Sequence, residues 1–238
     1  MKICVAGDWH GNTDHAVTMI QIAKDAGCEK ILHVGDFGYH FAPHYLNKMK
    51  RALGDTELWF VDGNHENFYK LYTYPINEDG RRELRPNIFH LPRGFRWKWN
   101  DTTFLAMGGA VSVDKKWRTP FAEWWPQEEI TIKDAFKIYD TDDVHADVMI
   151  CHDVPADFDI PGIEGNPMGF PEDVLVEANR HRKLLQAITD EVKPNQIFCG
   201  HYHRRHTGFL HGQDYDATVD ILDCDGTPSS HNMMTYEV

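Results

Sequence analysis

Five short polar clusters carry side chains able to ligate metal or move protons: Asp8-Trp9-His10, Gly35-Asp36, Gly63-Asn64-His65-Glu66, His152-Asp153 and Gly200-His201-Tyr202-His203. Asp8, Asp36 and the Asn64 amide are hard oxygen donors, and His10, His152, His201 and His203 add imidazoles. That mixture suits divalent first-row metals. Seven groups are too many for one tetrahedral ion and about right for two ions sharing a carboxylate. A two-metal site is the reading these residues support.

Each cluster directly follows an apolar run that reads as a β-strand: Ile3-Cys4-Val5-Ala6, Ile31-Leu32-His33-Val34, Leu58-Trp59-Phe60-Val61, Val148-Met149-Ile150-Cys151 and Gln196-Ile197-Phe198-Cys199. If these strands lie parallel, their carboxyl ends share one edge, where ligands of open α/β sheets collect. After the first cluster, Thr13 or Asp14 can cap a helix carrying Val17, Ile20 and Ala23, with Gly27 as its stop. A second amphipathic helix carries Leu46, Met49 and Leu53. From Ile88 to Met107 short alternating runs read as antiparallel strands of a second sheet or its edge, and a helix is expected around Thr131 to Tyr139. A last helix carries Leu184, Leu185 and Ile188 ahead of the final ligand strand.

In this order the blocks D-x-H, GD, GNHE, a strand-borne His and GHxH resemble the calcineurin-like metallophosphoesterases, and they run from Asp8 to His203. The resemblance implies a single α/β domain over residues 1–238, an αββα sandwich of two mixed β-sheets flanked by helices. It implies that Asp8 and His10 point together into the metal site, that His203 holds a first ion, that Asn64, His152 and His201 hold a second, and that Asp36 bridges both. Catalysis would rest on Asp36, Asn64 and His65, with His65 facing the substrate as general acid and a metal-bridging hydroxide as nucleophile. The mixed donor set favours two divalent ions of Mn2+, Fe, Zn, Ni or Co, with Mn2+ the choice here. The phosphoprotein phosphatase branch of that family follows its second block with Asp-Arg-Gly. Phe37-Gly38-Tyr39-His40 stands at that place, without the arginine clamp and the acid partner of the catalytic His. A phosphodiesterase acting on small, possibly cyclic, nucleotides or aryl phosphodiesters is therefore expected; a nuclease on short single strands and a phosphomonoesterase are the alternatives. A non-catalytic protein-binding scaffold is more remote, because no ligand position is substituted.

The remaining composition narrows partners. A net charge of −13 argues against tracking duplex DNA, which needs a basic stripe, and leaves a small phosphorylated substrate. No segment approaches the ~20 apolar residues of a membrane helix. The five cysteines lack CxxC spacing, Cys4, Cys151 and Cys199 fall in core strands, and no signal-like run opens the chain, so a reducing, cytoplasmic setting is expected. The irregular stretch from Gly108 to Pro126 is rich in aromatics, and Trp124 and Trp125 are candidates to stack on a nucleobase for about 1–3 kcal/mol. Arg204 is placed to reach phosphate oxygens, and Asp153 to orient an imidazole.

Overall fold

Strands that are apolar on both faces need cover on two sides, and the chain supplies it by stacking two sheets between helices. A computed structural model describes residues 1–238. The first sheet takes β1 (Lys2–Ala6), β2 (Lys30–His33), β3 (Glu57–Phe60), β4 (Arg82–Arg85), β5 (Ile88–His90) and, from the far end of the chain, β12 (Met233–Glu237), in the spatial order β12-β1-β2-β3-β5-β4. The second takes β6 (Arg96–Trp99), β7 (Thr102–Met107), β8 (Val148–Cys151), β9 (Gln196–Cys199), β10 (His206–His211) and β11 (Asp216–Ile221), in the order β10-β11-β9-β8-β7-β6. The four inner strands of each sheet pair in parallel, and the outer pairings are antiparallel.

Period-two alternation sorts the apolar side chains into three layers. Ile3, Val5, Leu32, Val34, Phe104, Ile150 and Phe198 meet between the sheets. Cys4, Ala6, Ile31 and Phe60 turn outward against α1 (Thr13–Asp25) and α2 (Pro43–Leu53) through Ile20, Ala23, Leu46, Met49 and Leu53. Past the short α3 (Phe68–Leu71) and α4 (Ile132–Phe136), α5 (Glu172–Val192) covers the second sheet, with Leu185 and Ile188 against Met149, Ile197 and Cys199. The expected αββα sandwich is therefore the observed one. α6 (Ser229–Asn232) is a single turn ahead of β12.

Local expectations shift in three places. Asn12, rather than Thr13 or Asp14, caps α1, its side chain accepting from the His15 amide at 3.2 Å. Ile88–His90 joins the first sheet in parallel with β3, because the chain returns through the β4–β5 hairpin before it crosses over; only β6 and β7 form the expected antiparallel pair in the second sheet. The helix expected to Tyr139 ends at Phe136, and a 3-10 turn follows over Lys137–Tyr139. No helix is long and apolar enough to cross a membrane, and all five cysteines are free, four of them buried.

Candidate metal centre

The turns that leave β1, β2 and β9 bend sharply enough to put side chains and backbone amides at one point. His10, Asp36, His201 and His203 all have positive φ, between 47° and 70°, which non-glycine residues rarely adopt. Strain of this kind persists only where surrounding structure over-determines it. Here the loops hold one another. The His65 amide donates to Asp36 Oδ1 at 2.8 Å and the His201 amide donates to Asp8 Oδ2 at 2.9 Å. These approaches need glycine alongside: a Cβ on Gly63 would overlap the Asp36 carboxylate, and one on Gly200 the Asp8 carboxylate. Each acid thus spends one oxygen on a neighbouring loop and keeps the other free.

The donor atoms of these loops converge. Asp8, His10 and His203 form one group able to hold an ion, His10, Asp36 and His65 a second, and Asp8, Asp36 and His152 a third, the donor atoms within each lying within 4.8 Å of one another. Asp36 Oδ2 is 3.4 Å from His10 Nε2 and 3.3 Å from His152 Nε2, and Asp8 Oδ2 is 3.7 Å from His203 Nε2. Asp8 Oδ1, His10 Nε2 and Asp36 Oδ2 are buried without a hydrogen-bond partner. Buried polar atoms are rarely left so, and three converging ones fit a divalent cation. The electrostatics ask for the same charge. Burial holds the Asp8 carboxyl up, to about 7. His10 is raised to about 11 and His152 to about 10: burial opposes both shifts, but Asp225 and Asp36 beside His10, and Asp36 and Asp8 beside His152, outweigh it.

The family model for calcineurin-like phosphoesterases matches residues 1–205, which carry every one of these groups. The chain belongs to the calcineurin-like phosphoesterase family. Among solved structures, TT1561 of Thermus thermophilus has a TM-score of 0.58 at 10% identity, covering 99% of this chain and 98% of that one. A dimetal phosphatase from Danio rerio has a TM-score of 0.55 at 12% identity, covering 99% and 91%. At such identities the likeness is one of fold. No curated protein matches the chain. Membership implies a metal-dependent phosphoester hydrolase, and the family's dinuclear divalent centre has its candidate ligands here.

Of the residues singled out in the sequence, Asp8, His10, Asp36, His65, His152 and His203 lie in the three groups. Asn64 adjoins them, its Oδ1 3.1 Å from His152 Nε2. His201 packs its ring 5.1 Å from that of His152, and its donor nitrogens fall outside the three groups. His152 Nδ1 faces the Val34 carbonyl at 2.8 Å; a carbonyl only accepts, so Nδ1 carries the hydrogen and Nε2 is left for an ion. Asn64 is oriented likewise. Its Nδ2 donates to Ser112 Oγ at 3.1 Å, and Ser112 in turn donates through Oγ and its amide to Glu128, both at 2.8 Å, which turns the amide oxygen of Asn64 toward the site. Glu66 ties two ligand loops by accepting from the amides of Phe37 and Gly63, both at 2.7 Å. Asp153 does contact an imidazole, but that of His181, at 3.1 Å, and it also accepts from the Tyr202 hydroxyl at 2.6 Å.

The substrate side adds a group that the sequence did not single out. Trp125 is 1% exposed and packs in the core while also lining a cleft, and Trp124 is half-buried with the Lys115 ammonium 5.2 Å from its ring centroid. Arg204 lies over the Gly162 turn and hydrogen-bonds none of the candidate ligands. The arginine that does reach the site is Arg118, from the irregular aromatic stretch. Its Nη1 is 2.5 Å from His65 Nδ1, and Asp114 holds its Nε at 2.8 Å. Beside it opens a cleft of about 410 Å3 lined by Tyr39, His40, Arg118, Ala122, Glu123 and Trp125. Arg118, Ser112, Glu128 and Asp225 escaped the sequence reading because they belong to no block; the sole hint, for Arg118 and Ser112, was that the stretch from Gly108 to Pro126 is long and irregular.

Proposed function

We propose that the protein is a phosphodiesterase acting on small phosphodiesters, nucleotides or cyclic nucleotides among them, with two divalent ions, Mn2+ foremost. The supporting observations are the convergence of unpartnered Asp8, His10 and Asp36 atoms and a cleft lined by Arg118, whose guanidinium contacts His65. Asp8, His10 and His203 would hold one ion, Asn64, His152 and His201 the other, and Asp36 would touch both. Bound ions would supply Lewis-acid polarisation of a phosphoryl oxygen and a water acidic enough to attack at neutral pH.

The chain's own groups do the rest. Arg118 carries the cation nearest His65, and its charge is already shared with Asp114 at 2.8 Å. A partly neutralised arginine suits the single negative charge of a diester better than the two of a monoester. Burial first, and then the Arg118 charge, push His65 down to about 3, so the free site holds a neutral ring. An anionic phosphoryl group next to that ring favours its protonated form, and in this reading His65 then gives its proton to the departing oxygen.

A substrate panel tests the proposal: aryl mono- and diesters beside 2′,3′- and 3′,5′-cyclic nucleotides, dinucleotides and single-stranded DNA, on protein reconstituted with Mn2+. Diesters of small leaving alcohols should lead in kcat/KM. Preference for monoesters would overturn the diesterase reading, and preference for single strands would make the protein a nuclease.

A further inference from the structure

The family match ends at residue 205, yet the carboxylate that meets the outer nitrogen of His10, a candidate ligand, lies beyond it. Asp225 sits in the turn between β11 and α6. One of its carboxylate oxygens is 2.8 Å from His10 Nδ1, and the other accepts from Asn12 Nδ2 at 2.8 Å. A carboxylate at neutral pH only accepts, so the hydrogen is on Nδ1, and Nε2 is the atom left unpartnered 3.4 Å from Asp36 Oδ2. The turn itself is tied to the first ligand loop on its other flank. Asn232 donates to the Asp223 carbonyl at 2.6 Å, accepts from Trp9 Nε1 at 3.0 Å, and takes the Gly7 amide on its own carbonyl at 2.7 Å. Residues on both sides of Asp8 and His10 are therefore fixed by the last part of the chain.

We propose that Asp225 is a positioning residue of the metal centre, holding the His10 ring in one tautomer with Nε2 turned inward. This rests on the reading of His10 as a ligand. Carboxylates that take the second ring N–H of a ligating histidine change metal affinity by about 10- to 100-fold when removed.

The test compares wild type with Asp225→Ala and Asp225→Asn, using Zn2+ binding by calorimetry and the ring-nitrogen NMR shifts of His10 in the Zn2+-loaded proteins. Asp225→Ala should weaken one of two ions by about 10- to 100-fold and leave the other near its wild-type affinity. Asp225→Asn, whose amide oxygen can still accept from Nδ1, should recover part of the loss and keep the wild-type tautomer. A merely structural role would lower the unfolding midpoint of the metal-free protein without separating the two ions, and that pattern would overturn the proposal. So would wild-type affinity and unchanged His10 shifts in Asp225→Ala, with two ions still bound by wild type. If wild type binds no Zn2+ at all, the reading of the site as a metal centre fails first.

Discussion

Arg118 Nη1 lies 2.5 Å from Nδ1 of His65, a residue 53 positions earlier in the chain, and its Nη2 lies 3.3 Å from Nε2. The guanidinium thus opposes protonation of the ring in the free protein, and it also lines the neighbouring cleft. Arg118→Met should raise KM for an aryl diester by about tenfold or more, the loss of one charge-assisted contact, while metal content stays at the wild-type value. Unchanged KM would place the phosphate elsewhere.

Leaving-group dependence checks His65. His65→Ala should slow esters of poor leaving alcohols by about 10²–10⁴-fold and nitrophenyl esters far less, because a nitrophenolate hardly needs a proton. His65→Gln separates two roles, since it can donate a hydrogen bond but no proton. If His65→Gln restores the poor substrates, hydrogen bonding and not proton transfer is the function of the ring.

Much of this was legible because ligands that leave strand ends follow apolar runs, and those runs pair in parallel. Asp8, Asp36 and Asn64 could be placed on one edge from sequence alone, whereas His152 and the histidines after β9 leave the second sheet, so that their meeting with the first three depends on how the two sheets stack. Arg118 and Ser112 could not be so placed, because their stretch has no periodicity and meets the site only through tertiary packing. Arg93 shows how: it is buried, donates to Asp62 at 3.0 Å and to the carbonyls of Gln127 and Glu128 at 2.9 Å, and so pins the end of that stretch to the first sheet. Residue type likewise gives no indication of how far each tryptophan ring is covered.

Removing Arg93 would strand the Asp62 carboxylate, held well below its usual range although burial opposes this, because Arg93 and His90 face it. Arg93→Met should cost about 3–5 kcal/mol in urea unfolding, and adding Asp62→Asn should return part of it. A loss within error of zero would mean that the pair does not anchor the loop.

Ser112→Ala should free the Asn64 amide to rotate and weaken one ion by about tenfold or more, with little change in unfolding midpoint when ions are saturating. Equal affinity for both ions in Ser112→Ala and wild type would remove the orienting role.

Ion binding should release protons. His10 and His152 are raised to about 11 and about 10, Asp225 and Asp36 acting against burial at the first and Asp36 and Asp8 at the second, so both rings are charged at neutral pH without ions. A ligand nitrogen must be unprotonated, so affinity rises with pH toward those values and falls as pH drops. Calorimetry at pH 7 in buffers of different ionisation enthalpy reads this directly; a binding heat that does not depend on the buffer would contradict it.

The most direct measurement is hydrolysis of bis(p-nitrophenyl) phosphate by exhaustively chelated protein during titration with Mn2+. Two ions sharing Asp36 should give no turnover at the start, a rise to a plateau near two equivalents, and loss of that plateau in Asp36→Asn. Undiminished hydrolysis after chelation, or a plateau that Asp36→Asn leaves intact, would contradict it.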